Sequence, residues 1–407
     1  MDTIYKKGLI RMKFEISDRM SKMKGSAIRE IFKLAGDPKV ISLAGGNPAP
    51  ELFPNKELSE IAKELLEENP VLSLQYGVTD GYVPLRELVK ERLKNKENIG
   101  TEDDELIIVS GGQQGIELVT KVLINEGDVV IVEEPSFIGA TNAFRSYNAK
   151  LVGVSMEDDG LCVEELKKAI KENKNAKILY TIPTFQNPSG NTMSLVKRKE
   201  VYEICRENNI LIIEDNPYGE LSFTDEKLPT IKSMDTDGIV AYCGSFSKVI
   251  APGLRVGFCI APKELVAKMV VAKQVSDVHT SMLPQLLVYE FMKRYDLDEY
   301  IERNRKLYAH KCQTMLDAIE EYFPKSIKHT TPKGGLFIWC DMCGDYDTGI
   351  IAKEVVKDNV VFVPGSTFMV DMEKKCSCFR LNYSTMSDEK IVEGIKILGN
   401  ALKKIVE

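Results

Sequence analysis

Short apolar runs alternate with amphipathic segments through the middle of the chain, from about residue 105 onward. Six β-branched runs have the length of a strand, at residues 105–110, 128–133, 150–155, 177–182, 210–215 and 239–245. Between them lie stretches with apolar residues at helical spacing, such as 114–125, 164–173 and 194–208, and Gly127 is a plausible helix stop. This alternation predicts a mostly parallel sheet that is covered by helices on both faces.

A seventh run, at residues 255–260, departs from the alternation. Only about ten residues separate it from the run at 239–245, which is too few for a crossover helix. The sequence therefore predicts an α/β fold with a seven-stranded sheet in which one strand is antiparallel.

The pattern changes again after about residue 290. A long charged helix at 296–323 is followed by GGLFIWCDM, a helix at 349–359, VVFVPG, CFRLNYS and a final helix, which together indicate a smaller α+β domain. Residues 19–34 also have a helical pattern. We expect an N-terminal arm and helix (1–50) that packs on the small domain, a large domain (51–295) and a small C-terminal domain (296–407).

Composition and charge exclude several classes of protein. The 407 residues are 43% hydrophobic and 28% charged, which is enough for two folded domains. The net charge of −7 and the scattered Lys and Arg residues argue against a nucleic-acid partner, and we expect no membrane span or signal peptide. Nine cysteines without a CxxC pair, far from the three histidines, predict reduced thiols in a cytoplasmic protein and no metal site.

Polar residues follow the predicted strands at the edge of the sheet where ligands usually bind. Two glycines in Ser110-Gly111-Gly112-Gln113 open a helix, and free backbone N–H groups there suit an anion. Later strands lead into Asn187, Asp215 and Lys248, and Arg255 begins the antiparallel strand at the same edge. Pyridoxal 5′-phosphate (PLP) needs this set: a lysine to bind it, a carboxylate for its ring nitrogen and donors for its phosphate.

Four motifs together resemble those of the fold-type I PLP-dependent aminotransferases of class I/II. They are SFSK, APGLRVG, EDNPYGEL and FQNPSG, and the resemblance runs from about Ser26 to the C-terminus. It is closest to the group of 2-aminoadipate and kynurenine aminotransferases. It implies a ping-pong transfer of an amino group from an amino acid to a 2-oxo acid, 2-oxoglutarate in particular, by a homodimer with shared active sites.

The resemblance also assigns catalytic roles. It makes Lys248 the residue that carries the cofactor and moves the substrate proton, and Asp215 the partner of the ring nitrogen. The adjacent Glu214 leaves the choice of carboxylate open by one residue. Asn187 and Tyr218 resemble the donors to the 3-oxygen of the cofactor, although a turn residue and a core aromatic are their structural alternatives.

Other residues are assigned to the phosphate, the ring and the substrate. By resemblance, the phosphate site contains Gly112, Gln113, Ser245, Ser247 and Arg255, and only one of the two serines need face it. Phe137 stands where this group commonly has a tyrosine that stacks on the ring. Arg380, together with Gly46 and Asn187, resembles the site for the substrate α-carboxylate, which a guanidinium fork matches.

Two further assignments bear on assembly and specificity. Tyr76 resembles a tyrosine that reaches the phosphate in the neighbouring subunit, with a structural loop tyrosine as the alternative. Arg29 resembles an arginine that pairs with the distal carboxylate of acidic substrates, with a solvated helix residue as the alternative.

Two other functions stay open at this point. Another PLP enzyme on the same scaffold, such as a C–S β-lyase or a decarboxylase, would share the cofactor residues. A non-catalytic sensing module of a transcription regulator is the third possibility. We expect an enzyme, because only about 25 residues precede the resemblance, which is too few for a winged helix.

Overall fold

The computed structural model describes residues 14–21, 23 and 39–406. The strands in these residues are β1 (Ile41–Ser42), β2 (Asp104–Val109), β3 (Val129–Glu134), β4 (Lys150–Glu157), β5 (Gly160–Leu161), β6 (Ala176–Thr181), β7 (Leu211–Asp215), β8 (Val240–Ser245), β9 (Gly257–Pro262), β10 (Lys328–His329), β11 (Phe337–Asp341), β12 (Val360–Val361), β13 (Val363–Pro364) and β14 (Cys378–Asn382).

The largest sheet has the strand order β2-β9-β8-β7-β6-β3-β4-β5. Its central strands are parallel, and β9 runs antiparallel to both of its neighbours, β2 and β8, as the short connection predicts. The sheet has one strand more than the predicted seven, because Gly160–Leu161 adds two antiparallel residues to the edge at β4. A two-residue strand has too few positions to show an alternating pattern.

Thirteen α-helices lie within the described residues. They are α1 (Asp18–Ser21), α2 (Asn55–Glu68), α3 (Pro70–Leu74), α4 (Val83–Glu97), α5 (Gly112–Leu123), α6 (Ile138–Ser146), α7 (Val163–Glu172), α8 (Leu195–Glu207), α9 (Lys263–Gln274), α10 (Met282–Arg294), α11 (Leu297–Tyr322), α12 (Thr348–Val355) and α13 (Asp388–Val406). In this described part of the chain, no helix is both long and apolar enough to cross a membrane.

Both faces of the large sheet are buried under helices. On one face, Val109, Val132 and Ile213 pack in one apolar cluster with residues of α5, α6 and α9. On the other face, Ile131 and Leu179 pack in a second cluster with residues of α7 and α8. Burial on both sides explains why these strands are continuous apolar runs in the sequence.

A second, four-stranded sheet follows residue 295, with the order β10-β11-β14-β13 and antiparallel pairing. β1, from the predicted N-terminal arm, pairs in parallel with β12 near this sheet. This pairing agrees with an arm that packs on the C-terminal part, while the division at residues 50 and 295 stays a prediction. Of the predicted helix at 19–34, the described residues show only α1, and residues 24–38 lie outside them.

Candidate active site

The predicted polar residues do converge at one edge of the large sheet. The loops after β2, β6, β7 and β8 and the turn before β9 all open there, because β9 runs opposite to its neighbours. Lys248 lies at the centre of this edge, half-buried, and its Nζ donates to the carbonyl oxygen of Gly46 at 2.5 Å. Desolvation, and then the charges of Arg380 and Arg255, lower the pKa of Lys248 to about 8. An amine with this pKa is partly neutral near pH 8 and can act as a nucleophile or a base.

Asp215 is the carboxylate that faces this edge. Its Oδ2 accepts a hydrogen bond from the hydroxyl of Tyr180 at 2.8 Å. Burial raises the pKa of Asp215 to about 7, although the Tyr180 hydrogen bond acts to lower it. Glu214 lies on the opposite face of the strand, where it accepts the backbone N–H groups of Ile231 and Lys232. The alternation of the strand therefore favours Asp215 over Glu214.

A cradle for an anion lies beside Asp215, at the start of α5. Gly111 has φ +81°, and a Cβ at this position would overlap Nη2 of Arg255. That Nη2 donates to the carbonyl oxygen of Ser110 at 2.9 Å, which holds the guanidinium against the glycine loop. Free N–H groups of the helix and an arginine together form a site for a phosphate.

Arg255 lies before the antiparallel strand and does not begin it, which corrects the sequence-based expectation. The strand starts at Gly257, and Arg255 ends a short 3₁₀-helix, Pro252–Leu254, with φ +53°. Residue 257 must pass so close to the backbone of Gly112 and Gly244 that only glycine fits.

The other phosphate residues differ in how they are placed. Ser245 Oγ donates to Ser247 Oγ at 2.8 Å and accepts the N–H of Ser247, so the two hydroxyls form one unit beside Lys248. A Cβ on Gly112 would lie 3.8 Å from Cβ of Ser245, so the serine borders the cradle. Gln113 points its side-chain amide away, to the carbonyl oxygen of Gly139, which leaves only its backbone to the anion.

A polar network around the buried Lys273 supports the glycine loop, and it was not predicted from the sequence. Lys273 is fully buried and donates to Gln114 Oε1 at 2.5 Å and to both oxygens of Asp277 at 2.9 Å. Gln114 Oε1 also accepts the N–H of Ser110, and Asp277 accepts from the hydroxyl of Ser110. These bonds fix the residue that immediately precedes the cradle.

Arg380 is held between two aromatic rings on the far side of Lys248. Its guanidinium lies 4.2 Å from the ring centre of Phe337 and 4.9 Å from that of Phe368. Nη1 donates to Asn187 Oδ1 at 2.8 Å and Nη2 to the carbonyl oxygen of Ala44 at 2.6 Å. No carboxylate of the residues from 39 to 406 pairs with this cation, and burial lowers its pKa to about 10. An unpaired, oriented guanidinium is suited to a carboxylate ligand.

Asn187 and Tyr218 complete the group around Lys248 and Arg380. Both are buried, and Tyr218 packs edge-on against Phe337. Burial raises the pKa of Tyr218, which keeps its hydroxyl a hydrogen-bond donor at neutral pH. The loop at Gly46 passes between Lys248 and Arg380, since its neighbour Ala44 bonds Arg380 and its own carbonyl bonds Lys248.

Residues 38–398 match the family model described as aminotransferase class I and II. The chain belongs to this family. An aromatic-amino-acid aminotransferase 1 of Thermococcus litoralis is 39% identical over 95% of this chain and 94% of its own length. A 2-aminoadipate transaminase of Thermus thermophilus is also 39% identical, over 95% of this chain and 96% of its own. A kynurenine aminotransferase of Pyrococcus horikoshii has been solved in complex with PMP, with KYN as substrates and KYA as products. Its structure matches this chain with a TM-score of 0.92 and 36% identity, and the match covers 96% of this chain and 98% of its own.

This aminotransferase is therefore a transaminase that uses PLP. The site fits that cofactor on structural grounds as well. Asp215 Oδ1 accepts no hydrogen bond from the described residues and is free for a ring nitrogen. A Cβ on Gly111 would displace Arg255, so glycine is needed there to keep the guanidinium beside the start of the helix. Lys248 lies between these two features and Arg380.

Phe137 and Tyr76 make no hydrogen bond or ring contact with Lys248, Asp215 or Arg380 within the described residues. Phe137 precedes α6 and is partly buried against the apolar cluster under the sheet, beside Gly139. Tyr76 is 81% exposed, and its ring packs edge-on against His279. Arg29 lies outside the described residues.

Four side chains at the site were not predicted from the sequence: Tyr180, Glu133 and the two rings that hold Arg380, Phe337 and Phe368. Tyr180 is in the apolar run of β6. The alternation of side chains along a strand places it on the same face of the sheet as Asp215, and this was the one signal in the sequence that could have linked the two residues. Glu133 is fully buried and accepts from Ile182 N and from Gln186 Nε2, both at 3.1 Å, which anchors the loop before Asn187. Phe337 and Phe368 come from distant segments, and no local pattern joins them.

Proposed function

We propose that this aminotransferase moves an amino group from an amino acid to 2-oxoglutarate in two half-reactions of a ping-pong cycle. The observation that carries the proposal is the unpaired guanidinium of Arg380, fixed between two rings on one side of Lys248. An amino acid and a 2-oxo acid share only the α-carboxylate, so one such arginine can orient both substrates in turn.

We propose the following residue roles, which the same geometry supports. When bound, PLP supplies an electron sink that stabilises negative charge at the substrate Cα. Lys248 is placed to hold the cofactor and to move the Cα proton, and its lowered pKa makes the neutral form available near pH 8. Asp215 holds the proton of the ring nitrogen, and Asn187 and Tyr218 are placed to donate to the 3-oxygen. The phosphate is held by Gly112, the backbone of Gln113, Ser245, Ser247 and Arg255. Phe137 borders the ring of the cofactor.

Mixing the purified enzyme with single amino acids tests the reaction type. We expect each good donor to convert the cofactor once and then stop, and 2-oxoglutarate to restore the original absorption spectrum. Steady release of pyruvate and ammonia would instead show a β-lyase. The Lys248→Ala variant should lose activity by orders of magnitude and yield no covalent adduct after borohydride reduction and mass spectrometry.

The substrate range is proposed to include acidic and aromatic amino acids. The relatives act, by their names, on aromatic amino acids and on 2-aminoadipate, and Phe337, Phe368 and Trp339 form an aromatic group beside Arg380. Arg29 is proposed to pair with the distal carboxylate of acidic substrates. Arg29→Ala should then raise KM for glutamate and 2-aminoadipate more than about tenfold and leave an aromatic donor unchanged. An equal, small change for both classes would contradict this role.

We also propose a cytoplasmic homodimer. Exposed apolar side chains in two neighbouring segments support it: Val71, Leu74 and Tyr76 in the first, and Val275 and Val278 in the second. The Tyr76–His279 contact joins the segments. A monomer rarely exposes such a continuous surface, and a second copy would bury it.

A further inference from the structure

Asp215 has two carboxylate oxygens, and they have different surroundings. Oδ2 accepts the hydroxyl of Tyr180 at 2.8 Å. Oδ1 accepts no hydrogen bond within the described residues, and a Cβ on Gly112 would lie 3.9 Å from it. One oxygen is therefore fixed by the protein, while the other lies open beside the start of α5.

The sheet register explains why Tyr180 reaches Asp215. Tyr180 in β6 pairs with Ile213 in β7, and Asp215 lies two residues further along the same face. Diagonal neighbours on adjacent strands lie within the reach of an aromatic side chain. The ring of Tyr180 is fully buried and packs edge-on against Phe144, with 5.6 Å between the ring centres. Its hydroxyl therefore has a fixed position.

We infer that Tyr180 is a positioning residue for the reaction: its hydroxyl orients Asp215 and holds it as a carboxylate, so that Oδ1 faces the ring nitrogen of the cofactor. This inference rests on the proposed role of Asp215. It adds that Tyr180, which contacts Asp215, sets how strongly the cofactor acts as an electron sink. Tyr180 lies in a strand that contacts neither substrate nor cofactor in our assignment.

Electrostatics give the hydrogen bond its importance. Burial and the charge of Glu133 both favour a protonated Asp215, and the Tyr180 hydrogen bond is the contact that opposes them. Burial also raises the pKa of Tyr180 well above its ordinary value, so the phenol stays protonated and remains the donor. Besides Asp215, the buried carboxyl of Glu133 and the buried thiol of Cys243 act on Tyr180, and both also raise its pKa. Without the phenol, Asp215 would be more basic and would keep the proton that the ring nitrogen needs.

Tyr180→Phe tests the inference, because it removes only the hydroxyl. Tyr242→Phe is the matched control: Tyr242 is a buried tyrosine in β8, and its hydroxyl accepts from Asn216 Nδ2 at 2.9 Å, away from Asp215. Four quantities are measured for each variant: the dissociation constant of PLP, the pH midpoint of the visible absorption change of the bound cofactor, kcat and KM.

For Tyr180→Phe we expect PLP binding to weaken about tenfold and kcat to fall by a similar factor, as for loss of a hydrogen bond to a charged group. KM should stay within about twofold, because Arg380 is untouched. The pH midpoint should rise, because a less positive cofactor ring favours retention of the nearby proton whose loss causes the absorption change. Tyr242→Phe should change none of these. Equal effects of the two variants, or no effect of Tyr180→Phe, would overturn the inference.

Three further variants separate this inference from the proposed function and guard against a folding defect. In an Asp215→Asn background, Tyr180→Phe should have no additional effect on the pH midpoint, because the carboxylate through which Tyr180 acts is absent. If Asp215→Asn alone leaves the midpoint and kcat unchanged, the proposed role of Asp215 fails. 3-Fluorotyrosine at position 180 keeps the side-chain volume and is a stronger donor, so it should shift the midpoint downward. An unchanged or raised midpoint would contradict the role of Tyr180 even if the Phe variant does not fold.

Discussion

At the scale of single residues, the ionisable groups of this site lower the folding stability of the chain, because they are buried. We propose that they are buried to serve the cofactor. Burial raises the pKa of Asp215 from 3.8 to about 7 in the cofactor-free protein. Between about pH 4 and 7 the folded chain therefore keeps a proton that the unfolded chain releases. Folding stability must fall as the pH rises through this window. A site that is destabilised for function is the expected trade-off.

We predict that cofactor-free Asp215→Asn is more resistant to urea at pH 8 than the cofactor-free wild type, by a few kcal/mol. The difference should shrink toward pH 4, where Asp215 is protonated in both states. Asp158→Asn, which removes an exposed carboxyl, is the control and should show no such pH-dependent gain. A gain for Asp215→Asn that is the same at pH 4 and pH 8 would exclude the buried charge as its cause.

Arg380 gives a second prediction at the scale of the residue. Two rings and two acceptors fix its guanidinium plane, so a lysine at this position cannot present the same fork. Arg380→Lys should raise KM for both the amino donor and the 2-oxo acid by about tenfold or more, and leave the dissociation constant of PLP unchanged. Steady-state kinetics with each substrate varied in turn is the measurement. An increase for only one of the two substrates would show that they do not share this residue.

At the scale of elements, the start of α5 is the feature on which cofactor binding depends. Gly111 has φ +81° and ψ 162°, a conformation that is essentially restricted to glycine, and Gly127 has φ +83°, so alanine is strained at both positions. At Gly111 the new Cβ would also meet Arg255, whereas at Gly127 there is nothing within 4 Å. Gly127→Ala therefore reports the effect of alanine at positive φ alone, whereas Gly111→Ala also disturbs Arg255 at the proposed anion site.

Gly111→Ala should weaken PLP binding at least about tenfold, because the displaced arginine loses charge-assisted bonds to the phosphate. Gly127→Ala should lower thermal stability slightly and leave PLP affinity as in the wild type. Equilibrium dialysis of PLP and thermal unfolding of both cofactor-free proteins provide the comparison. Similar affinities for the two variants would mean that the glycine loop does not hold the phosphate.

The elements that the sequence predicted are those with a local signal. The apolar runs of β2 to β4 and β6 to β9 were located to within two or three residues, and the short connection before β9 correctly predicted its direction. The pairing of Ile41–Ser42 with Val360–Val361 was not predicted, since two residues carry no period and the partners are far apart in the chain. Arg255 was placed in the strand because the sequence does not show that Gly257 must touch the loop of Gly112.

The same distinction holds for the site. Asn187 and Lys248 follow strands and Asp215 ends one, so the rule that ligands bind at strand ends was enough to group them. Tyr180, Lys273 and Phe368 support these residues from within the fold, and in the sequence they look like ordinary members of apolar or amphipathic segments. Their roles depend on register and on contacts between distant segments, which only a three-dimensional structure provides.

At the scale of the whole molecule, the exposed position of Tyr76 is the main consequence for assembly. In a single chain its ring contacts His279 and is 81% exposed, which is unusual for a tyrosine. His279 is followed by Thr280, whose hydroxyl lies 3.2 Å from that of Ser110 beside the anion cradle. The surface around Tyr76 is thus adjacent to the phosphate end of the site, and a second copy that covers it would bring another Tyr76 nearby.

We predict that Tyr76 completes the site of the neighbouring subunit, and complementation can test this. Lys248→Ala and Tyr76→Ala should each be inactive or nearly so. In a hybrid dimer, one site then carries both defects, while the other has an intact Lys248 and receives the intact Tyr76. Random exchange makes about half of the dimers hybrid, so activity should recover to about a quarter of the wild-type value. Mass spectrometry of the intact dimers establishes that exchange has occurred. If hybrids form and no activity returns, Tyr76 acts in its own subunit, and if Tyr76→Ala alone is fully active, it belongs to no site.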